Sequence, residues 1–458
     1  DNGGVHAVRT VARPVDLDRG VHAIQVNYFQ NSALLDLDLS WSRGGESLET
    51  IPSWALTPRR PAFRQFFVDV ILRRSLVAAE WLWVVTILAA LASWIGSRLG
   101  ALAGLLRRDA SWRAVTALIA FSFTINIIGI WCGLSAHTSW LGDELTPDDV
   151  LPPLGRLFAD GWWFKYPPLQ FYVLAAVYSP LLVLEQLGRI DQFNPLWYDV
   201  MFLAGRLVSV AAAIGVLVAV YLSGAETFSR RAGIFAVASL ALVVTFVGYS
   251  RAANVDMPML FWFAVSLVFY LRLIRPRQGP LGPLGPTTRD TVLFATSGML
   301  AICTKDQAYG LYLATPLVVV HAIWRARREA GEPHALARAL LDRRLWAAAA
   351  AATAVFAVSH NLLFNFEGFV SHVRYIVSDG SQPFRGFEPT LAGRLQLLAL
   401  TADLDRRSWG WPLFLVTFAG CGMALASPAT RRAAAALLLM TATYYLGFIN
   451  VILYSYDR

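Results

Sequence analysis

Time after time along this chain, polar residues disappear for longer than a water-soluble fold tolerates. Apolar segments run near residues 77–102, 114–134, 168–187, 199–222, 233–250, 257–274, 291–304, 308–324, 346–364, 409–426 and 433–454. A helix needs about 20 apolar residues to cross the hydrocarbon core of a bilayer, and several of these runs are that long. Inside lipid each backbone N–H and C=O must be satisfied within the protein, which favours helices over open sheets. The chain has 458 residues, 56% of them hydrophobic, where soluble domains stay somewhat below half. The expected fold class is an α-helical polytopic membrane protein.

Arginine placement sets the expected topology, because cytoplasmic loops collect Lys and Arg. Suppose residues 168–187 form an amphipathic helix on the outer surface, within one long outer loop, 135–198. The loops 98–113, 223–232, 272–290, 325–345 and 427–432 then share the cytoplasmic side and hold 18 Arg in 72 residues. The opposite loops (135–198, 251–256, 305–307 and 365–408) hold 10 Lys or Arg in 117 residues. Making 168–187 a span would move 14 of the 18 arginines outside. The interfacial placement is therefore preferred, giving about ten spans. The net charge of +8 reads as topology, with no nucleic acid as partner.

Cys132, Cys303 and Cys421 all lie in apolar segments, which argues against a disulfide framework or a thiolate metal site. The chain opens at Asp1 without a charged-then-apolar leader, and it is expected to be part of a longer polypeptide. Residues 1–60 differ from the rest. "VHAIQVNYFQ" and "LLDLDLSW" alternate apolar and polar residues, are separated by "NS" and are followed by the turn-rich "SRGGES". That pattern predicts antiparallel strands.

The topology places several charged residues on one, extracytoplasmic face: Asp143-Glu144, Lys165, Arg251, Asp256 and Lys305-Asp306. Lysine is scarce, with 37 Arg against only Lys165 and Lys305, and both lie where the positive-inside rule gives no reason for a cation. In "HTSWLGDELTPDDV" an adjacent acid pair suits a general base or a metal site; a solvated loop or the acidic start of a helix at "TPDDV" is the plainer alternative. Lys165 in "FKYPPL" is a compact point charge suited to phosphate, or else a lysine snorkelling at the interface. Asp256, at the mouth of a membrane segment, is costly unless it works or is paired, with Arg251 as the nearby candidate partner. For Lys305-Asp306, in a tight helical hairpin, the bland alternative is a local ion pair.

Taken in order, these pieces carry a resemblance. "GDE" in the first outer loop, "KYPPLQFYVLA" closing it, "LAGRLVSVAAAIGVLVAVYL", "GYSRAANVDMPML" and "TKDQAYGLYLATP" cover roughly residues 112–325. The chain resembles the polyprenyl-phosphate-sugar-dependent glycosyltransferases of the C-type fold, in the branch with protein O-mannosyltransferases and the lipid A aminoarabinose transferase. The resemblance implies transfer of a sugar from a polyprenyl phosphate to an acceptor hydroxyl on the extracytoplasmic face. Asp143 matches the catalytic acid that deprotonates the acceptor, Glu144 the adjacent acid, Lys165 the lysine that neutralises the donor phosphate, and Asp256 the acid of the second outer loop. Tyr166, Arg251, Lys305 and Asp306 complete the expected donor-phosphate and substrate-binding set. No cofactor is required, and no residue pattern demands a metal. The partners are a lipid-linked sugar donor, a protein, lipid or glycan acceptor, and the bilayer. The alanine- and arginine-rich composition favours a bacterial plasma membrane.

Two departures stand out. The histidine expected before the acid pair is not in place, His137 lying six residues upstream, and the chain stops at "YSYDR" where the family continues. The domain reading is residues 1–60, resembling half of a protective-antigen-type β-sandwich module, often carbohydrate-binding; 61–111, a linker and first membrane helix; and 112–458, the transferase domain, expected to be truncated. A polytopic transporter and a membrane-anchored carbohydrate-binding sensor are the competing classes. The first should show internal repeats, and the second leaves the clustered outer charges without a role.

Overall fold

The computed structural model describes residues 11–26, 39–42, 48–51, 56, eight scattered positions between 71 and 93, 109–134, 143–158, 165–188, 195–275, 277–279, 282–284, 286–379 and 386–455. The chain divides into two units, Asp1–Leu105 and Leu106–Arg458.

In the first unit, strand β1 (Ser40–Trp41) pairs antiparallel with β2 (Glu49–Thr50), with Ser40 opposite Thr50 and Trp41 opposite Glu49. Residues 43–47, in the connection between these two strands, lie outside the described residues. The expected strand over 21–30 does not extend to the described residues 21–26, which are irregular. Alternation marks a face, but only pairing makes a strand. Residues 27–38 lie outside the described residues.

The second unit is helical. Its main elements are α1 (Ala110–Ile127), α2 (Pro147–Leu157), α3 (Leu169–Gln186), α4 (Pro195–Thr227), α5 (Arg230–Ala241), α6 (Val244–Ser250) and α7 (Asp256–Ile274). A short hairpin, β3 (Arg277–Gly279) with β4 (Gly282–Leu284), leads to α8 (Thr288–Thr304). Then follow α9 (Thr315–Glu329), α10 (Ala335–Leu340), α11 (Arg343–Ser359), α12 (Phe366–Arg374), α13 (Leu391–Ala426) and α14 (Arg431–Tyr444).

Among the described residues six helices are long and apolar enough to cross a membrane, and α5 with α6, bent by 69°, makes a seventh if counted as one broken span. The protein is a helical membrane protein. Leu169–Gln186, expected at the interface, meets the same length and hydropathy test. The expected spans at 291–304 and 346–364 form helices α8 and α11 of 17 residues each, at the lower end of the spanning range, and the 308–324 run is split, with α9 only 15 residues long. The stretch before 409, expected to be a polar loop, instead carries α12 and the first half of α13. Helix α13 breaks at Gly410, whose φ of +73° is left-handed and precedes Pro412.

Four buried clusters hold the second unit together among the described residues, three of them around the main helices. Val216 and Leu217 of α4 pack with Val237 and Ala241 of α5 and Val115 of α1. The α4–α5 hairpin closes tightly, since a Cβ on Gly224 would stand 2.7 Å from the Cα of Gly233. Tyr270 and Phe294, from the antiparallel pair α7 and α8, meet Val319, Ile323 and Met440. The third cluster unites Leu145, Val150, Tyr166, Phe171, Leu174, Met201 and Val255, and it forms the floor beneath the charged residues.

Candidate functional site

The loop after Asp143 is organised by its own chemistry. Thr146 and Asp149 form a reciprocal cap: Thr146 N and Oγ1 donate to Asp149 Oδ2 at 3.0 and 2.8 Å, and Asp149 N donates to Thr146 Oγ1 at 3.1 Å. That is the capping-box logic of a helix start, as "TPDDV" suggests. Helix α2 is then pinned at both ends. Tyr198 Oη donates to Asp148 Oδ2 at 3.0 Å, while Asn361 and Asn365 both donate to the Leu157 carbonyl, at 3.1 and 2.8 Å.

Glu144 faces inward. Its carboxylate receives Arg206 Nε at 2.7 Å, Arg206 Nη2 at 3.1 Å and the Ala253 amide at 3.2 Å. Arg206 also donates through Nη1 to the carbonyls of Ile130 and Cys132, at 2.6 and 2.8 Å. Both side chains are buried, and Leu145 N donates to the Ala253 carbonyl at 2.6 Å. Gly205 makes room for this junction: a Cβ there would lie 2.8 Å from Tyr178 Oη and 3.0 Å from Ala253 Cβ. Helix α4, the acid loop and the 251–256 turn are thus fastened at one point. With both oxygens engaged by donors, Glu144 holds the loop in place.

Asp143 is 3.1 Å from Lys165 Nζ, with side-chain exposures of 19% and 47%. The Lys165 ammonium lies 5.0 Å from the centre of the Tyr166 ring, and the Lys305 ammonium lies 6.0 Å from the same ring. These are cation–π distances, so both of the chain's lysines gather on one buried aromatic. Lys305 pairs with Asp256 at 2.5 Å, nearly enclosed at 5% and 13% exposure. Asp256 opens α7 and Lys305 closes α8, so each charge sits at the helix end whose dipole favours it.

The structure therefore joins Asp143, Lys165, Tyr166, Lys305 and Asp256 at one end of the bundle. Lys305 pairs with Asp256 across 49 residues where a local pair with Asp306 was the simple alternative. Asp306 meets His372 Nε2 of α12 at 3.2 Å. Arg251, the nearby candidate partner, donates through Nη2 to the Ile125 carbonyl of α1 at 2.5 Å, while Asp256 takes Lys305. Arg206 and His372 are the residues that sequence reasoning missed. For Arg206 the signal was present, since an ionisable residue inside an apolar run implies a buried partner. His137 lies outside the described residues. Among the described residues no group of three His, Cys, Asp or Glu side chains is arranged to hold a metal ion.

Chemically the arrangement offers a half-exposed ammonium beside a carboxylate, above an apolar floor, with a second cation nearby. That combination suits a phosphate attached to an apolar chain, next to a group that takes a proton. No protein-family model, curated protein or solved structure matches the chain.

Proposed function

We propose that the chain is a membrane glycosyltransferase that moves a sugar from a polyprenyl phosphate to an acceptor hydroxyl, on the extracytoplasmic face of a bacterial plasma membrane. The observation that carries this reading is the meeting of Asp143, Lys165, Tyr166, Lys305 and Asp256, drawn from four separate stretches of sequence. In this reading Asp143 takes the proton from the acceptor hydroxyl. The acceptor oxygen bonds to the anomeric carbon as the bond from that carbon to the phosphate oxygen breaks. The polyprenyl phosphate leaves with the bonding electrons, and Lys165 offsets its charge. Charge stabilisation of this kind is worth a few kcal/mol per well-placed donor. Lys305 lies against Tyr166 while Asp256 holds it in position, and Glu144 with Arg206 keeps Asp143 in register. The C-type fold and the span count of about ten belong to this proposal.

The bend between α5 and α6 is a feature that favours a transporter, since broken helices line many transport sites. Its hinge, however, is apolar, at Ala241, Leu242 and Val243, and offers no charged group to a solute. Incubating membranes containing the chain with a panel of radiolabelled polyprenyl-phosphate sugars tests the proposal. Label should move to an acceptor from at least one donor, and no movement from any donor, in membranes where the chain is folded, would reject the reading.

A further inference from the structure

At the far end of the same helices lies a second feature. Helix α7 starts at Asp256 and runs 19 residues, about 28 Å at 1.5 Å per residue, before Leu273, Ile274 and Arg275 form one wall of a cavity of about 280 Å³. Helix α9 supplies a second wall with Val318, His321, Arg325 and Glu329, and α14 a third with Arg432, Ala436 and Leu439. The volume is at the small end of ligand cavities, suited to a head group and too small for a whole lipid.

Its lining is divided by chemistry. Three guanidinium groups reach it from three elements: Arg275 at the end of α7, Arg325 within α9 and Arg432 at the start of α14. Arg275 is steadied by an Nη1 hydrogen bond to the Glu226 carbonyl. Glu329 is the single acid in the lining, and it pairs with Arg325 at 3.0 Å. The rest is mostly apolar, and Leu439, which lines the cavity, is 38% exposed, with Leu317 of α9 exposed nearby in the chain at 73%. Cations around a small cavity and bare leucines on its helices match an amphiphile with an anionic head. Basic pockets between membrane helices on the arginine-rich side are a known form of lipid recognition.

We propose that this cavity binds the phosphate of an anionic phospholipid, with Arg275, Arg325 and Arg432 around the head group and the acyl chains along the leucine-bearing faces of α9 and α14. The phosphate competes with Glu329 for Arg325, and the site keeps a net positive charge. The binding is independent of the transfer chemistry at the other end of the bundle.

The test uses the full chain purified in mixed micelles of a neutral detergent and phosphatidylcholine, titrated with phosphatidylglycerol or glycerol 3-phosphate. Thermal midpoint and lipid retained in native mass spectra are the readouts. Phosphatidylglycerol should raise the midpoint and be retained, and glycerol 3-phosphate should do neither. Arg325→Gln and Arg432→Gln should each weaken the lipid effect about fivefold, from roughly one kilocalorie per mole per cation. Arg231→Gln, exposed and in the first turn of α5 beside Arg230, should leave it unchanged. Should Arg325→Gln fail to fold, the exposed Arg432 carries the test alone. Equal losses in all three variants would mean diffuse surface attraction, an unchanged effect in the two cavity variants would mean no site, and an equal response to glycerol 3-phosphate would mean a soluble phosphate. Each of those results overturns the lipid assignment.

Discussion

Arg206 holds Glu144 in a two-pronged grip, Nε at 2.7 Å and Nη2 at 3.1 Å, across 62 residues of sequence and with almost no exposure of either side chain. Breaking a buried pair from one side leaves the other charge stranded, typically at a cost of about 3–5 kcal/mol. Arg206→Met should therefore lower the thermal midpoint sharply and abolish transfer. Arg206→Lys should recover only part of the stability, because a single ammonium cannot reproduce a fork that also reaches the Ile130 and Cys132 carbonyls. Replacing both partners together, as Arg206→Met with Glu144→Leu, should restore much of the midpoint that the single change loses. A double variant no more stable than Arg206→Met would show that the pair is not what fastens the loop.

Asp143 differs from its neighbour in being reachable. Asp143→Asn keeps the shape of the side chain and loses the proton acceptor. Sugar transfer should drop by roughly two or more orders of magnitude, the usual worth of a general base, while yield and midpoint stay near those of the wild type. Transfer within a few-fold of wild type would move the base elsewhere, first to Asp256.

Away from the membrane-spanning segments, Asp342 is clasped between Arg344 and Arg327, with contacts of 2.7 and 2.6 Å. Hydrogen bonds from Arg344, then from Arg327, hold its carboxyl far below the usual carboxylate range. A depressed folded pKa gives stability that is fully present above the unfolded value, near 3.9 for Asp, and is lost as pH falls through the folded value. Wild type should accordingly lose this contribution only in strong acid. Asp342→Asn should lose about 2 kcal/mol at neutral pH, in the range for hydrogen bonds to charged groups, and should show a shallower fall in midpoint below pH 4. Parallel pH profiles for the two proteins would rule the clasp out as a source of stability.

Much of the site could be read in the sequence because its charges interrupt long apolar runs. Asp256 and Lys305 stand at helix ends, and lysine is rare enough in this chain for each copy to need a reason. Arg206 was harder to see. In a chain with 37 arginines, "LAGRLVSV" looks like the general bias, and only the helix that buries it, α4, shows that this arginine is inside. His372 gave no local signal, since its partner Asp306 is 66 residues away and only the fold brings the two together. Among the described residues many helices fall on the apolar runs, but α2, α12 and the first half of α13 do not, and helix lengths differ from the runs. Apolar composition says where a helix is comfortable, while caps such as Asp109, Ser229 and Thr287 decide where it starts.

Lys165 separates the transferase from a plainer protein. The ammonium touches Asp143 at 3.1 Å and lies over Tyr166, yet nearly half of the side chain is exposed. An exposed ion pair contributes at most about 1 kcal/mol, so stability alone gives little reason for a lysine here. A donor phosphate gives a stronger one. Lys165→Met keeps the apolar stem and deletes the charge, so both donor affinity and turnover should suffer, with transfer down roughly a hundredfold or more. Lys165→Arg should restore only part, because a planar fork does not superpose on a compact ammonium. If Lys165 merely snorkels, Arg should serve as well as Lys, and Met should cost little. Binding and transfer of the lipid-phosphate sugar by the three proteins, in one detergent and at fixed ionic strength because salt screens the attraction, distinguish the two cases. Raising the salt should weaken donor binding by the wild type more than by Lys165→Met. Equal salt dependence, with equal transfer, would leave the phosphate without its counter-ion and remove the donor site from this end of the bundle.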